Sequence, residues 1–161
     1  MVMLKKIFKK LDNWIGEQNV ERQEEGMLSI SACEIKVIGQ TALLEAEITL
    51  HIPATVDVDV FANYEDLVRR KFAELLKENG KELDPVGHEA WMPKETEYEI
   101  FFDGKWLKAY LANPEYVLLS KAMKAPKKNK VLIVEYLASG PSAKFFELAK
   151  KYKVDLDHFL E

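Results

Sequence analysis

The run Thr55-Val56-Asp57-Val58-Asp59-Val60-Phe61 constrains this chain more than any other stretch of its sequence. Aspartate is depleted in strands because its side chain competes for the backbone and packs poorly on a pleated surface. Here two aspartates stand at i and i+2 within a strict apolar alternation. A strand repeats every two residues, so Asp57 and Asp59 share one face while Val56, Val58 and Val60 point to the other. Their Cα atoms lie roughly 6.6 Å apart, from about 3.3 Å of rise per residue. Two like charges so close disfavour each other's ionised form unless a cation compensates. Mg²⁺ is such a cation: it takes one or two protein carboxylates and completes its shell with water and phosphate oxygens. Taken alone, the pair fits an acidic solvated strand face better than a metal site.

The rest of the composition narrows the setting. A chain of 161 residues with 48% hydrophobic content predicts one domain, spanning 1–161, with a core that needs no disulfide or structural metal. The lone cysteine, Cys33, precludes an internal disulfide and suits a reducing compartment. His51, His88 and His158 are far apart, pair with no cysteine and give no zinc-ligand spacing. A net charge of -4 argues against a dedicated electrostatic nucleic-acid binder. The 31% of charged residues is dominated by lysine and glutamate, a composition enriched in hyperthermophile proteomes. No apolar run approaches the ~20 residues of a membrane span, and lysines interrupt the apolar positions of the start, unlike a signal peptide. The expectation is a soluble, cytoplasmic protein that engages no membrane.

Residues 1–25 read as an amphipathic packing helix, with Leu4, Ile7, Phe8, Leu11, Trp14 and Ile15 on one side, followed by a polar acidic segment. A short strand at 35–38 ends at Gly39, and residues 40–47 are good helix formers. After the acidic strand, Asn63 is the expected cap of a helix that Asn79-Gly80 stops. Residues 97–102 and 105–110 form a hairpin about a two-residue Asp103-Gly104 turn. Asn113-Pro114-Glu115 opens the first of the C-terminal helices that fill 113–161. The sum is an α+β domain: a small mixed sheet flanked by helices, with a helical C-terminal half.

Gly39-Gln40-Thr41 is the second informative element. A glycine where a strand passes into a helix frees backbone amides at the helix start, where phosphate binds well; ordinary punctuation between elements reads the same way. A strand, that glycine, a helix and then Asp-x-Asp on the next strand together resemble the nucleotidyltransferase superfamily of polymerase-β-like fold. Within it the chain is most similar to the small prokaryotic branch related to abortive-infection and toxin–antitoxin nucleotidyltransferases. The matching stretches are residues 37–43, residues 54–60, and Tyr116-Val117-Leu118-Leu119-Ser120-Lys121-Ala122-Met123, which resembles that branch's later Lys-bearing helix.

The resemblance implies Mg²⁺-dependent transfer of a nucleoside monophosphate from a nucleoside triphosphate to a hydroxyl on an acceptor, RNA or protein. On this reading Asp57 and Asp59 hold Mg²⁺, Gly39, Gln40 and Thr41 contact phosphate, and Lys121 reaches the nucleotide or balances the aspartates. The third catalytic carboxylate comes from a neighbouring strand; Glu99, near the middle of the first hairpin strand, is the choice here, and the enzyme reading requires it to meet Asp57 and Asp59 beside Gly39. Several features depart from the pattern. Gln40 stands where a second glycine or serine is usual, His51-Ile52-Pro53 where an arginine often precedes the acidic strand, Asn129 where an acid follows the lysines, and Glu99 where Asp is commoner. These bear on catalysis more than on fold. A noncatalytic nucleotide-binding module, or a protein-interaction module that pairs with itself or a partner through its N-terminal helix, is the alternative.

Overall fold

The computed structural model describes residues 2–160. Its elements run α1 (Val2–Glu24), β1 (Cys33–Ile38), α2 (Gly39–Glu45), β2 (Asp57–Ala62), α3 (Asp66–Glu78), β3 (Glu82–Leu83), β4 (Tyr98–Asp103), β5 (Leu107–Ala112), α4 (Pro114–Lys124), α5 (Lys130–Ala138) and α6 (Ala143–Lys151), with short 3₁₀ turns at Gly87–Glu89 and Leu156–Phe159. The five strands form one mixed sheet in the order β3-β2-β1-β5-β4. β1 pairs antiparallel with β2 and parallel with β5, and β3 lies parallel to β2. This is the α+β architecture that the sequence predicts.

Alternation builds the sheet's buried face. Cys33, Ile35 and Val37 of β1, Val58 and Val60 of β2, and Leu107, Ala109 and Leu111 of β5 are all buried. α1 and α3 cover that face. Leu4, Ile7, Phe8, Leu11 and Ile15 of α1 are buried while Lys5, Lys6, Lys9 and Lys10 stay exposed, so the helix packs along one stripe. Phe8 is the hinge of this layer, with ring centroids 5.6 Å from Phe72 of α3 and 6.1 Å from Phe101 of β4. The helix runs on through the acidic segment to Glu24, because Asn19 is buried there: its amide accepts from the Ile30 N–H at 2.6 Å and donates to the Ile30 carbonyl at 3.2 Å. α2 packs on the same side, where Thr41, Leu44 and Glu45 line a small cavity with Leu4 and Ile7 of α1, Val58 of β2 and Leu76 of α3, and α4 packs against α2.

Two local expectations give way, and one strand goes unforeseen. Asn63 does not cap α3; its side chain accepts from the Glu34 N–H at 2.6 Å, and Glu65 holds the cap position without a side-chain bond. The hairpin turn is longer than two residues, since β4 ends at Asp103 and β5 begins at Leu107. β3 carried no periodic signal, being only two residues long.

Candidate functional site

β2 delivers Asp57 and Asp59 to the sheet face opposite the α1/α3 core, and the start of α2 brings Gly39 beside them. Gly39 has φ of +66°, a left-handed backbone that disfavours any side chain, and a Cβ there would lie 2.9 Å from Asp59 Oδ2. The glycine is therefore required twice, once by its own conformation and once by the carboxylate packed on it. Gly87 is the matching plate on the other side, where a Cβ would lie 2.9 Å from Asp59 Oδ1 and 3.0 Å from its Cα. Asp59 is held between two glycine backbones.

The parallel register of β3 against β2 pairs Asp57 with Glu82 and Val58 with Leu83. The chain then continues one residue to Asp84, whose N–H donates to the Val58 carbonyl at 3.0 Å, which sets Asp84 beside Asp59. Its carboxylate also accepts from the Val86 N–H at 3.0 Å, fixing the turn that presents Gly87. Burial first, then Asp84 and the charge of Asp57, push Asp59 up to about 6 against the pull of Lys121. Asp59 Oδ1 is buried with no hydrogen-bond donor. Two ionised carboxylates offer only acceptors, so that oxygen is satisfied by a proton shared with Asp84 or by a cation.

These residues line one cleft of about 520 Å³, together with Gln40, His51, Pro53, Thr55, Lys121, Lys128, Asn129 and the aliphatic Val131 and Leu132. Lys121 projects from α4; burial, then Lys128, lower its pKa, and Asp59 opposes them. Gln40 Nε2 donates to the Pro53 carbonyl at 2.8 Å, tying the loop between α2 and β2 across the cleft wall. His51, 96% exposed, hands its N–H and ring to Glu135 of α5 at 3.1 Å. Cys33 lies in the core, where burial pushes its thiol up to about 11 and keeps it unreactive.

Of the residues singled out from sequence, Gly39, Gln40, Asp57, Asp59 and Lys121 converge on this cleft. Two do not. Thr41 is buried behind Asp57, its hydroxyl donating to the Asp57 carbonyl at 3.2 Å, and it faces away from the cleft. Glu99 stands exposed on β4, with β1 and β5 between it and β2. The parallel β1–β5 pairing sends the hairpin to the far side of β1, so no side-chain reach brings Glu99 back. The enzyme reading with Glu99 as its third carboxylate therefore falls; the carboxylate that does stand beside the pair is Asp84. Gly80 and the short Glu82-Leu83-Asp84 run after α3 are compatible with a parallel neighbour of β2, but two strand residues carry no period that singles Asp84 out.

Among the described residues, no group of three or more His, Cys, Asp or Glu side chains is gathered closely enough to hold a metal ion by itself. The donor-less Asp59 oxygen beside Asp57 does fit a hard cation whose remaining ligands come from phosphate and water. Comparison with protein-family models, with curated proteins and with solved structures gave no match to this chain.

Proposed function

We propose that the chain binds a nucleoside triphosphate with Mg²⁺ in the Asp57–Asp59–Asp84 cleft and transfers its nucleoside monophosphate to a hydroxyl acceptor. The observation that carries this reading is the orphaned Asp59 oxygen, set between two other carboxylates and faced by Lys121 and Lys128. Asp57 and Asp59 would hold the ion; when bound, it offsets triphosphate charge and makes a nearby hydroxyl more acidic. Lys121 and Lys128 face the phosphates as compact point charges. The acceptor oxygen forms a bond to the α-phosphorus, the bond to the bridging oxygen breaks, and pyrophosphate leaves. Asp84, which is not among the residues that would hold the ion, takes the hydroxyl proton as general base. Val131, Leu132 and Pro53 offer an apolar wall for the base.

Nucleotide binding without turnover is the second reading, and Gln40 favours it. Its amide is spent on the Pro53 carbonyl, where a glycine or serine would leave room and a donor for phosphate. One experiment separates the two. Incubation with Mg²⁺, each α-labelled triphosphate and cellular RNA or protein should give a labelled product that Asp57→Asn and Asp84→Asn abolish. Mg²⁺-dependent thermal stabilisation by a triphosphate with no labelled product supports binding alone. No product and no stabilisation by any triphosphate rejects both.

A further inference from the structure

We propose that a separate cavity between α4 and the C-terminal 3₁₀ turn binds a small organic phosphate, a single phosphate carried on an apolar body. The end of α4 and the turn at residues 125–129 serve both this cavity and the Asp57 cleft. Lys121, Lys128 and Asn129 line the cleft, whereas Met123, Pro126 and Lys127 line the cavity, of about 420 Å³. Its other wall is the stretch after α6, which contributes Lys153, Val154 and His158.

Lys153 stands where a glycine is usual. It follows α6 by two residues with φ of +57°, and the Val154 N–H closes the helix on the Ala149 carbonyl at 2.8 Å. α1, α3 and α5 place Gly26, Gly80 and Gly140 at the same point, and Glu47 after α2 is the other exception. A side chain kept in a left-handed backbone costs stability, and such residues cluster at ligand sites. Lys127 comes from a run, residues 116–134, with five lysines and no acid, so nothing on that wall competes for an anion. Among the described residues neither Lys127 nor Lys153 is in an ion pair. His158 is placed by its buried neighbour Phe159, and its Nε2 is buried with no hydrogen-bond partner. An unmet buried nitrogen is costly, and a bond from its N–H to a ligand oxygen removes that cost. The one acid lining the cavity, Asp155, is engaged: its carboxylate accepts the Asp157 N–H at 3.1 Å. Two ammonium groups and an imidazole N–H match the three terminal oxygens of a phosphate monoester better than the two of a carboxylate. Met123, Pro126 and Val154 offer the apolar body its wall.

The test is a nuclear magnetic resonance titration of the full chain with phenyl phosphate, in about 0.15 M salt so that loose ionic contacts are screened. Saturable binding should shift the amides of Lys127 and Val154 and the ring nitrogens of His158. Inorganic phosphate lacks the apolar body and benzoate the third oxygen, so each should bind at least about tenfold more weakly. Lys127→Gln and Lys153→Gln, at exposed side chains that the fold does not need, should each weaken phenyl phosphate about tenfold. Lys153→Gly keeps the left-handed turn and removes only the charge, and should weaken it equally. Asp57→Asn should leave binding unchanged, which separates this site from the nucleotide reading. Titration without saturation overturns the proposal, as do shifts confined to Gly39 and Asp59. Benzoate binding as tightly as phenyl phosphate, or lysine variants that bind like the parent, overturn it too.

Discussion

Asp59 is a residue whose cost to the fold depends on pH. Its pKa rises from an ordinary 3.8 to about 6 on folding. Between those values the folded chain holds a proton that the unfolded chain has released, so stability falls as pH rises through this window. Asp59's contribution is fully present below about 3.8 and lost once pH passes about 6. The gap converts to at most about 3 kcal/mol, and to about 1–2 kcal/mol once water's screening of a partly exposed carboxylate is allowed for. Asp59→Asn keeps the shape, supplies an N–H to Asp84 and cannot ionise. It should therefore stabilise the protein by about 1–2 kcal/mol at pH 8 and scarcely at all at pH 4. Urea denaturation at the two pH values reads the difference, and an equal change at both would sink the linkage. A residue retained at such a cost in stability is the kind found at functional sites.

At the scale of elements, legibility follows periodicity. α1 and β2 were readable because a single face of each is buried, so the apolar repeat survives in the sequence. β3 and the third carboxylate were not, since two residues carry no period and Asp84 owes its place to the register of β3 on β2. Glu99 was misplaced for the same reason: strand order is a tertiary outcome, and a hairpin's sequence does not say which side of β1 it joins. The β4–β5 turn shows how a distant residue overrides a local signal. Asp-Gly suggests a tight turn, yet Asp12 of α1 accepts the N–H groups of Lys105, Trp106 and Leu107 at 3.2, 2.7 and 3.0 Å, opening the turn around its carboxylate. Gly104 permits it, since a Cβ there would lie 2.6 Å from Asp12 Cγ. Asp12→Ala leaves three amides without their acceptor and should cost roughly 2–3 kcal/mol, as for hydrogen bonds to a charged group. Amide exchange should quicken at Lys105, Trp106 and Leu107 before the rest of the sheet; exchange that stays slow there would show that the hairpin is held by packing alone.

Across the whole molecule, the sheet's core and the C-terminal helices are two apolar clusters that meet at α4. Tyr116 and Leu119 of α4 join Phe145, Leu148 and Ala149 of α6 in the smaller cluster, while Val117, Leu118 and Ala122 of the same helix belong to the larger one. One helix thus carries both cores, and it also carries Lys121 into the cleft. The loop between β3 and β4 adds a second tie: the Ser120 hydroxyl donates to the Trp91 carbonyl at 2.5 Å, and the Trp91 and Tyr152 rings meet edge-on at 5.2 Å. Such sharing predicts that residues 1–161 unfold as one unit. Phe145 is fully buried and its ring packs edge-on against Tyr136 at 5.0 Å, so Phe145→Ala should cost roughly 3–5 kcal/mol. The measurement is whether that loss is global. Trp14 in α1 and Trp91 beside α6 report from the two ends, so single-tryptophan versions of Phe145→Ala should lose both signals at one denaturant midpoint, coincident with the loss of helical circular dichroism. An α6 that melts first, with the Trp14 transition left where it stands in the parent protein, would instead divide the chain at α4. The cleft would then be built by a sheet domain and a separable helical arm, with Lys121 on the boundary between them.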